Sequence, residues 1–80
     1  MKVGAAVSRR ILALCEERGI SVNKLCTISG ITQSTINNII SGRNKSATVA
    51  TIKKVCDGLE ITLGEFFSTP EFDTLEQEIQ

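Results

Sequence analysis

The stretch GITQSTINNIISG, residues 30–42, is rich in uncharged side chains that can do directional hydrogen-bonding chemistry, among them Gln33, Ser34, Asn37 and Asn38. A Gln or Asn amide donates and accepts at once, and a serine hydroxyl does the same with freer geometry. An amide can therefore grip a partner that presents a donor beside an acceptor, as the N6 and N7 edge of adenine does. One such bidentate pair discriminates by ~1–3 kcal/mol. Ser adapts to several bases, and a Thr methyl can meet the methyl of thymine. The stretch carries no charge, and the uncharged run reaches back to Leu25. A solvated helix surface ordinarily holds Lys and Glu instead. A charged side chain here would adhere to phosphate anywhere along a duplex, so an uncharged face favours recognition of a particular edge over adhesion.

Other chemistries find little support. The chain has no histidine, which removes the commonest general base, and no paired carboxylates or Ser/Lys grouping stand out, so it is not expected to be an enzyme. Cys15, Cys26 and Cys56 are far apart in sequence, with no CxxC spacing. They read as small buried apolar residues; a three-thiolate metal site or redox switch would need the three sulfurs to converge. No metal, cofactor or small-molecule ligand is expected. No apolar stretch approaches the ~18 residues of a membrane span, and Ser8, Arg9 and Arg10 interrupt the N-terminal apolar run. A cytoplasmic location without membrane contact is the expectation.

Eighty residues make one small domain. Its net charge of zero conceals an asymmetry, because residues 1–58 hold all nine basic residues against three acids, and the remainder holds six acids and no base. A basic body joined to an acidic end hints at a polyanionic partner.

The recognition face has to be carried by helices. Val7, Ile11, Leu14, Cys15 and Arg18 repeat at three- and four-residue steps, predicting a first helix from about Ala5 to Arg18, closed by Gly19. Ser21 caps a second helix that turns Val22, Leu25 and Cys26 inward and stops near Ser29, where Gly30 offers a left-handed residue. Thr32 caps a third, with Ile36, Ile39 and Ile40 inside and Gly42 at its end. Thr48 opens a fourth, burying Val49, Ile52, Val55, Cys56 and Leu59. Thr62 and Glu65 form the capping box of a short fifth helix with Leu63, Phe66 and Phe67. No segment reads as a strand.

The tail STPEFDTLEQEIQ predicts a sixth helix, capped by Ser68 or Thr69, with Pro70 at its first position and Phe72, Leu75 and Ile79 along one face. A helix of about ten residues is not stable alone in water. That stripe must dock on its own domain or on a second subunit, and the expectation leans to the second. The organisation is thus a domain over residues 1–68 and an acidic tail over 69–80.

The second and third helices are joined by the short turn SGIT, the spacing of a helix-turn-helix. Such a steep crossing asks for a small residue at the contact (Cys26), a turn glycine (Gly30) and an aliphatic plug (Ile36). Together with LCTISGITQSTINNIISGR and TIKKVCDGLEITLGEFF, these features make the chain resemble the five-helix DNA-binding domains of phage repressors of the lambda repressor and Cro type, from about Val7 to Ser68. The resemblance implies an all-α domain whose third helix lies in the major groove of double-stranded DNA. It places base reading at Gln33, Ser34, Asn37 and Asn38, with Asn44 in the following loop. Phosphate positioning would fall to Arg43, Lys45, Ser41 and the amides that open the second helix. Arg9, Arg10, Lys24, Lys53 and Lys54 are weaker phosphate candidates.

Two departures stand out. Many members of that family open the second helix with Gln, where this chain has Val22, so the resemblance implies either a low affinity per half-site or Asn23 as the substitute phosphate contact. Many also bury an Arg in the first helix against a Glu late in the third, where this chain has Cys15 and Ile40; replacing both charges together is tolerable, whereas losing one is not. Cys15 and Ile40 are accordingly expected to meet. The resemblance implies a transcriptional repressor acting as a homodimer, with Phe66, Phe72, Leu75 and Ile79 as candidate dimer contacts. Two rival readings use the same fold: a protein-interaction adaptor in which DNA binding is secondary or lost, and an antitoxin that uses the tail against a toxin.

Overall fold

The computed structural model describes residues 2–41, 47–77 and 79, and six helices appear among them: α1 (Val3–Arg18), α2 (Val22–Ser29), α3 (Gln33–Ile40), α4 (Val49–Leu59), α5 (Leu63–Phe67) and α6 (Pro70–Asp73). No strand occurs among the described residues.

One turn design recurs at three of the joints. α1, α2 and α4 each end in a residue with left-handed backbone, Gly19 (φ 65°), Gly30 (φ 66°) and Glu60 (φ 58°). The residue after it is isoleucine in all three cases, and its amide returns to the carbonyl of a cysteine: Ile20 to Cys15 at 3.0 Å, Ile31 to Cys26 at 3.2 Å, and Ile61 to Cys56 at 2.9 Å. This six-to-one bond is the Schellman closure, which satisfies a carbonyl that a helix end would otherwise leave unpaired. The isoleucine then turns inward: Ile31 is part of the core, while Ile20 and Ile61 pack against it. A hydroxyl follows at once as the cap of the next helix, Ser21, Thr32 and Thr62, each accepting from the amide three residues on. CEERGIS, CTISGIT and CDGLEIT are therefore one motif used three times.

The recurrence accounts for the cysteines. All three are free and buried. Burial pushes the thiols of Cys15 and Cys56 up from the ordinary value, with neighbouring Cys26 adding to the effect at Cys15, so both stay protonated and pack as small apolar groups. They share a continuous core with Val7, Ile11, Leu14, Leu25, Ile36, Val55 and Phe66, among others. Cys15 lies in that core, and Ile40 packs against it from α3.

Packing of α2 on α4 is close enough to demand a glycine. A Cβ at Gly58 would lie 2.5 Å from Ser29 Oγ and 3.0 Å from the carbonyl oxygen of Ile28. The second contact is with backbone, which cannot rotate away, so Gly58 lets α4 support α2 from behind.

Several expectations need correction. α1 starts two residues earlier than Ala5, and Arg18, although in register with the apolar stripe, is exposed at the helix end. Val49 is 67% exposed, because it occupies the first turn of α4, one turn ahead of Ile52, where that helix enters the core. Gly42, expected to end the third helix, lies outside the described residues.

The largest difference is in the tail. α6 has four residues, not about ten, and Thr69 precedes it without a side-chain capping bond. The Thr74 hydroxyl lies 3.3 Å from the carbonyls of both Pro70 and Glu71, offering the chain an alternative to further helix. Leu75 and Ile79 consequently do not share a helical face with Phe72. Phe72 folds back on its own domain, its ring 4.9 Å from that of Phe67 and 6.2 Å from that of Phe66. Glu71 pairs with Arg9 at 3.3 Å and Glu76 with Lys2 at 3.7 Å, so the acidic tail straps across α1.

Candidate nucleic-acid interface

The geometry of α3 follows from what surrounds it. Gly30 closes α2, Thr32 caps α3 through the amide of Thr35 at 3.2 Å, and only Ile31 separates the two turn residues. The crossing is held by Leu25 and Cys26 from α2 and by Ile36 and Ile39 from α3, all buried. With one face committed inward, the opposite face must point to solvent. Gln33, Ser34, Asn37 and Asn38 are all exposed there. Gln33 and Asn37 are four apart, as are Ser34 and Asn38, so the four side chains form two adjacent rows on one surface.

Charge at the start of α3 is also informative. Its first turn contains no acid, as is also true of α1, α2 and α4, whereas α5 and α6 carry acids there. Thr35 stands where a capping box has its glutamate, and its hydroxyl accepts from the hydroxyl of Thr32 at 2.9 Å rather than from the Thr32 amide. The helix dipole therefore leaves a positive end uncompensated by carboxylate, which suits an approaching polyanion.

The remaining predicted residues fall in different places. Asn23 and Lys24 are exposed on the first turn of α2. Ser41 is exposed, and its hydroxyl donates to the carbonyl of Asn38 at 2.9 Å, so it must turn before donating to a phosphate. Arg43, Asn44 and Lys45 lie outside the described residues. Arg10 is occupied inside the domain: its Nε donates to the carbonyl of Phe66 at 2.7 Å and its Nη2 to that of Glu65 at 2.8 Å, closing the C-terminal end of α5. Arg9 is paired with Glu71, and Lys53 with Asp57. Of the weaker phosphate candidates, these three are already engaged.

The candidate dimer contacts also separate. Phe66 is 0% exposed, so its side chain is closed to a second subunit by its own core. Phe72 and Leu75 are half-buried, and Ile79 is 85% exposed.

Ser8 was not among the residues singled out from sequence, yet it contacts the end of α3. It is buried, and its hydroxyl donates to the Ile40 carbonyl at 2.6 Å. The signal was present in the spacing: Ser8 sits three and seven residues before Ile11 and Cys15, a polar residue inside the apolar stripe of α1.

Two helices crossing at a left-handed glycine, the second presenting an uncharged amide surface, define the helix-turn-helix class of domain. The comparisons make the class specific: a family model described as the Cro/C1-type HTH DNA-binding domain matches residues 10–71, and the chain belongs to that family. It is 40% identical over 52 residues to the HTH-type transcriptional repressor RghR of Bacillus subtilis (strain 168), a match covering 65% of this chain and 38% of that protein. It is 31% identical over 68 residues to the HTH-type transcriptional regulator PuuR of Escherichia coli (strain K12), covering 85% of this chain and 36% of that protein. The chain thus spans little more than a third of the length of these relatives. Among solved structures, the crystal structure of the prophage Lp1 protein 11 matches with a TM-score of 0.84 at 36% identity, covering 94% of this chain and 100% of that one.

Proposed function

We propose that this chain is a sequence-specific regulator of transcription, a repressor that binds double-stranded DNA as a homodimer and reads the major groove with α3. The observation that carries the reading is the joint exposure of Gln33, Ser34, Asn37 and Asn38 on the outer face of α3. Family membership supports DNA as the partner, and the repressor named among the relatives supports the sign of the regulation. Gln33 and Ser34, at the N-terminal end of the helix, enter the groove first, with Asn37 and Asn38 one turn behind. Asn44 extends the base contacts; Arg43, Lys45, Lys24, Ser41, Asn23 and the first amides of α2 hold phosphates. One domain of this size buries little DNA surface, so two copies on half-sites about one helical turn (~34 Å) apart gain affinity through effective concentration. Leu75 and Ile79, the tail's apolar residues that do not join Phe72 in packing against the core, are the contact offered to the second copy. The setting is the cytoplasm.

Electrophoretic mobility against a duplex selected from a randomised pool by the wild-type protein tests this reading. Gln33→Ala is expected to weaken binding to that duplex by about 5- to 150-fold, the equivalent of the ~1–3 kcal/mol of one bidentate pair, with random duplex nearly unaffected. Equal weakening on both duplexes would remove base reading from α3. No shift on any duplex at low salt would favour the adaptor reading.

A further inference from the structure

We infer that Ser8 is a positioning residue for base recognition: its hydroxyl fixes the C-terminal end of α3 and thereby the tilt at which Gln33, Ser34 and Asn37 meet the groove. The inference rests on the base-reading role proposed above.

α3 is short. Its eight residues span about 12 Å, and the four reading side chains Gln33, Ser34, Asn37 and Asn38 lie on a rod held at few points. The N-terminal end is fixed through the Gly30 turn and the Thr32 cap. The middle is fixed by Ile36 and Ile39, whose contacts are apolar and non-directional, so they set how deep the helix sits more firmly than how it tilts. The far end is Ile40, whose carbonyl accepts the Ser8 hydroxyl at 2.6 Å. This bond links residues thirty-two apart in sequence, and Ser8 is only 7% exposed, so water competes poorly for the donor. A hydrogen bond has direction where apolar packing has little, and this one joins the recognition helix to the longest helix of the domain.

Without the hydroxyl, the Ile40 carbonyl loses a partner at the end of α3, and the helix keeps its Gly30–Thr32 anchor and its apolar contacts but loses the directional tie that sets its tilt. A constellation of recognising groups tolerates about 0.5 Å of displacement before its hydrogen bonds suffer. Phosphate contacts, made by flexible cationic side chains, tolerate more. Loss of the Ser8 bond is therefore felt in discrimination between sequences before it is felt in affinity for DNA as such.

The test uses the full chain and two probes, a duplex selected from a randomised pool by the wild-type protein and a duplex of the same composition in shuffled order. Ser8→Ala is expected to retain its helical circular dichroism and its affinity for the shuffled duplex, while the ratio of the two affinities falls about 3- to 10-fold, the worth of one hydrogen bond. Ser8→Thr, which keeps the hydroxyl, is expected to hold the ratio near wild type. Ser8→Val, which has the shape of threonine without the hydroxyl, is expected to lose it. An unchanged ratio in folded Ala and Val variants overturns the role of Ser8 and leaves base reading intact. Loss of the folded signal in Ser8→Ala makes the residue a structural support and also overturns the inference. A wild-type protein that does not distinguish the two duplexes overturns base reading itself, and this inference with it.

Discussion

The α2–α3 joint and the α4–α5 joint are built to the same plan and end in different chemistry. In each, a cysteine carbonyl receives an isoleucine amide, a left-handed residue reverses the chain, and a threonine caps the next helix. They diverge three residues past the cap. After Thr62 comes Glu65, whose carboxylate accepts from the Thr62 amide at 2.9 Å and completes a capping box. After Thr32 comes Thr35, which completes the turn without charge. A carboxylate is the stronger cap and also meets the helix dipole, so local stability alone would favour the Glu65 solution at both joints. The uncharged arrangement is shared with α4, where Thr51 follows Thr48, and at α3 it leaves free of carboxylate the end that a polyanion is proposed to approach.

The comparison is broken most directly by making the two joints alike. Thr35→Glu turns the sequence after Thr32 into a second capping box, T-Q-S-E, matching the T-L-G-E that opens α5. The variant is expected to fold as well as wild type or slightly better, since a box of this kind supports a helix terminus. Duplex affinity is expected to fall by about 100-fold, because a like charge forced against a phosphate-lined groove costs several kcal/mol. Thermal melting and mobility shift on the same preparation measure both effects. Unchanged affinity in a folded variant would mean that the N-terminus of α3 does not face DNA.

How much of this was legible beforehand depended on the kind of signal. α1 to α5 announced themselves because local rules agreed: apolar spacing, a hydroxyl before the start of α2 to α5 and a glycine after the ends of α1 and α2. The amide face was legible for the same reason, since burial of Ile36 and Ile39 obliges Gln33 and Asn37 to point outward. What failed required tertiary knowledge. Pro70 and the acids after it predict a helix correctly, but the docking of Phe72 on Phe67 needs only one turn, so nothing sustains the helix to Ile79. Phe66 looked available for a partner because its full burial depends on packing between distant elements. The threefold motif was readable in principle and hidden by one substitution, Glu60 in the place that glycine holds elsewhere.

That substitution separates the joints a second time, with smaller consequences. At Gly30 an added Cβ would meet nothing within 4 Å, so Gly30→Ala carries only the conformational cost of a left-handed residue, about 1–2 kcal/mol. The melting temperature is expected to fall by roughly 4–8 °C per kcal/mol in a domain of this size. At temperatures where the variant is folded, discrimination between duplexes should survive, because the turn geometry is unchanged.

The reciprocal change, Glu60→Gly, should move stability the other way. Glu60 holds φ 58° and ψ 42° on an exposed side chain, so the fold already bears there the cost that Gly30 avoids. Glycine removes the crowding of Cβ against the following carbonyl, worth about 1–2 kcal/mol, but adds about 0.5–1 kcal/mol of chain entropy to be lost on folding. The net gain is about 0–1.5 kcal/mol, a rise of up to roughly 12 °C in melting temperature. Duplex affinity should not move, since the change lies at the joint that does not carry the helix proposed to read DNA. A fall in melting temperature would show that the Glu60 side chain supports the fold in its own right, and the two joints would then differ in more than the charge beyond their caps.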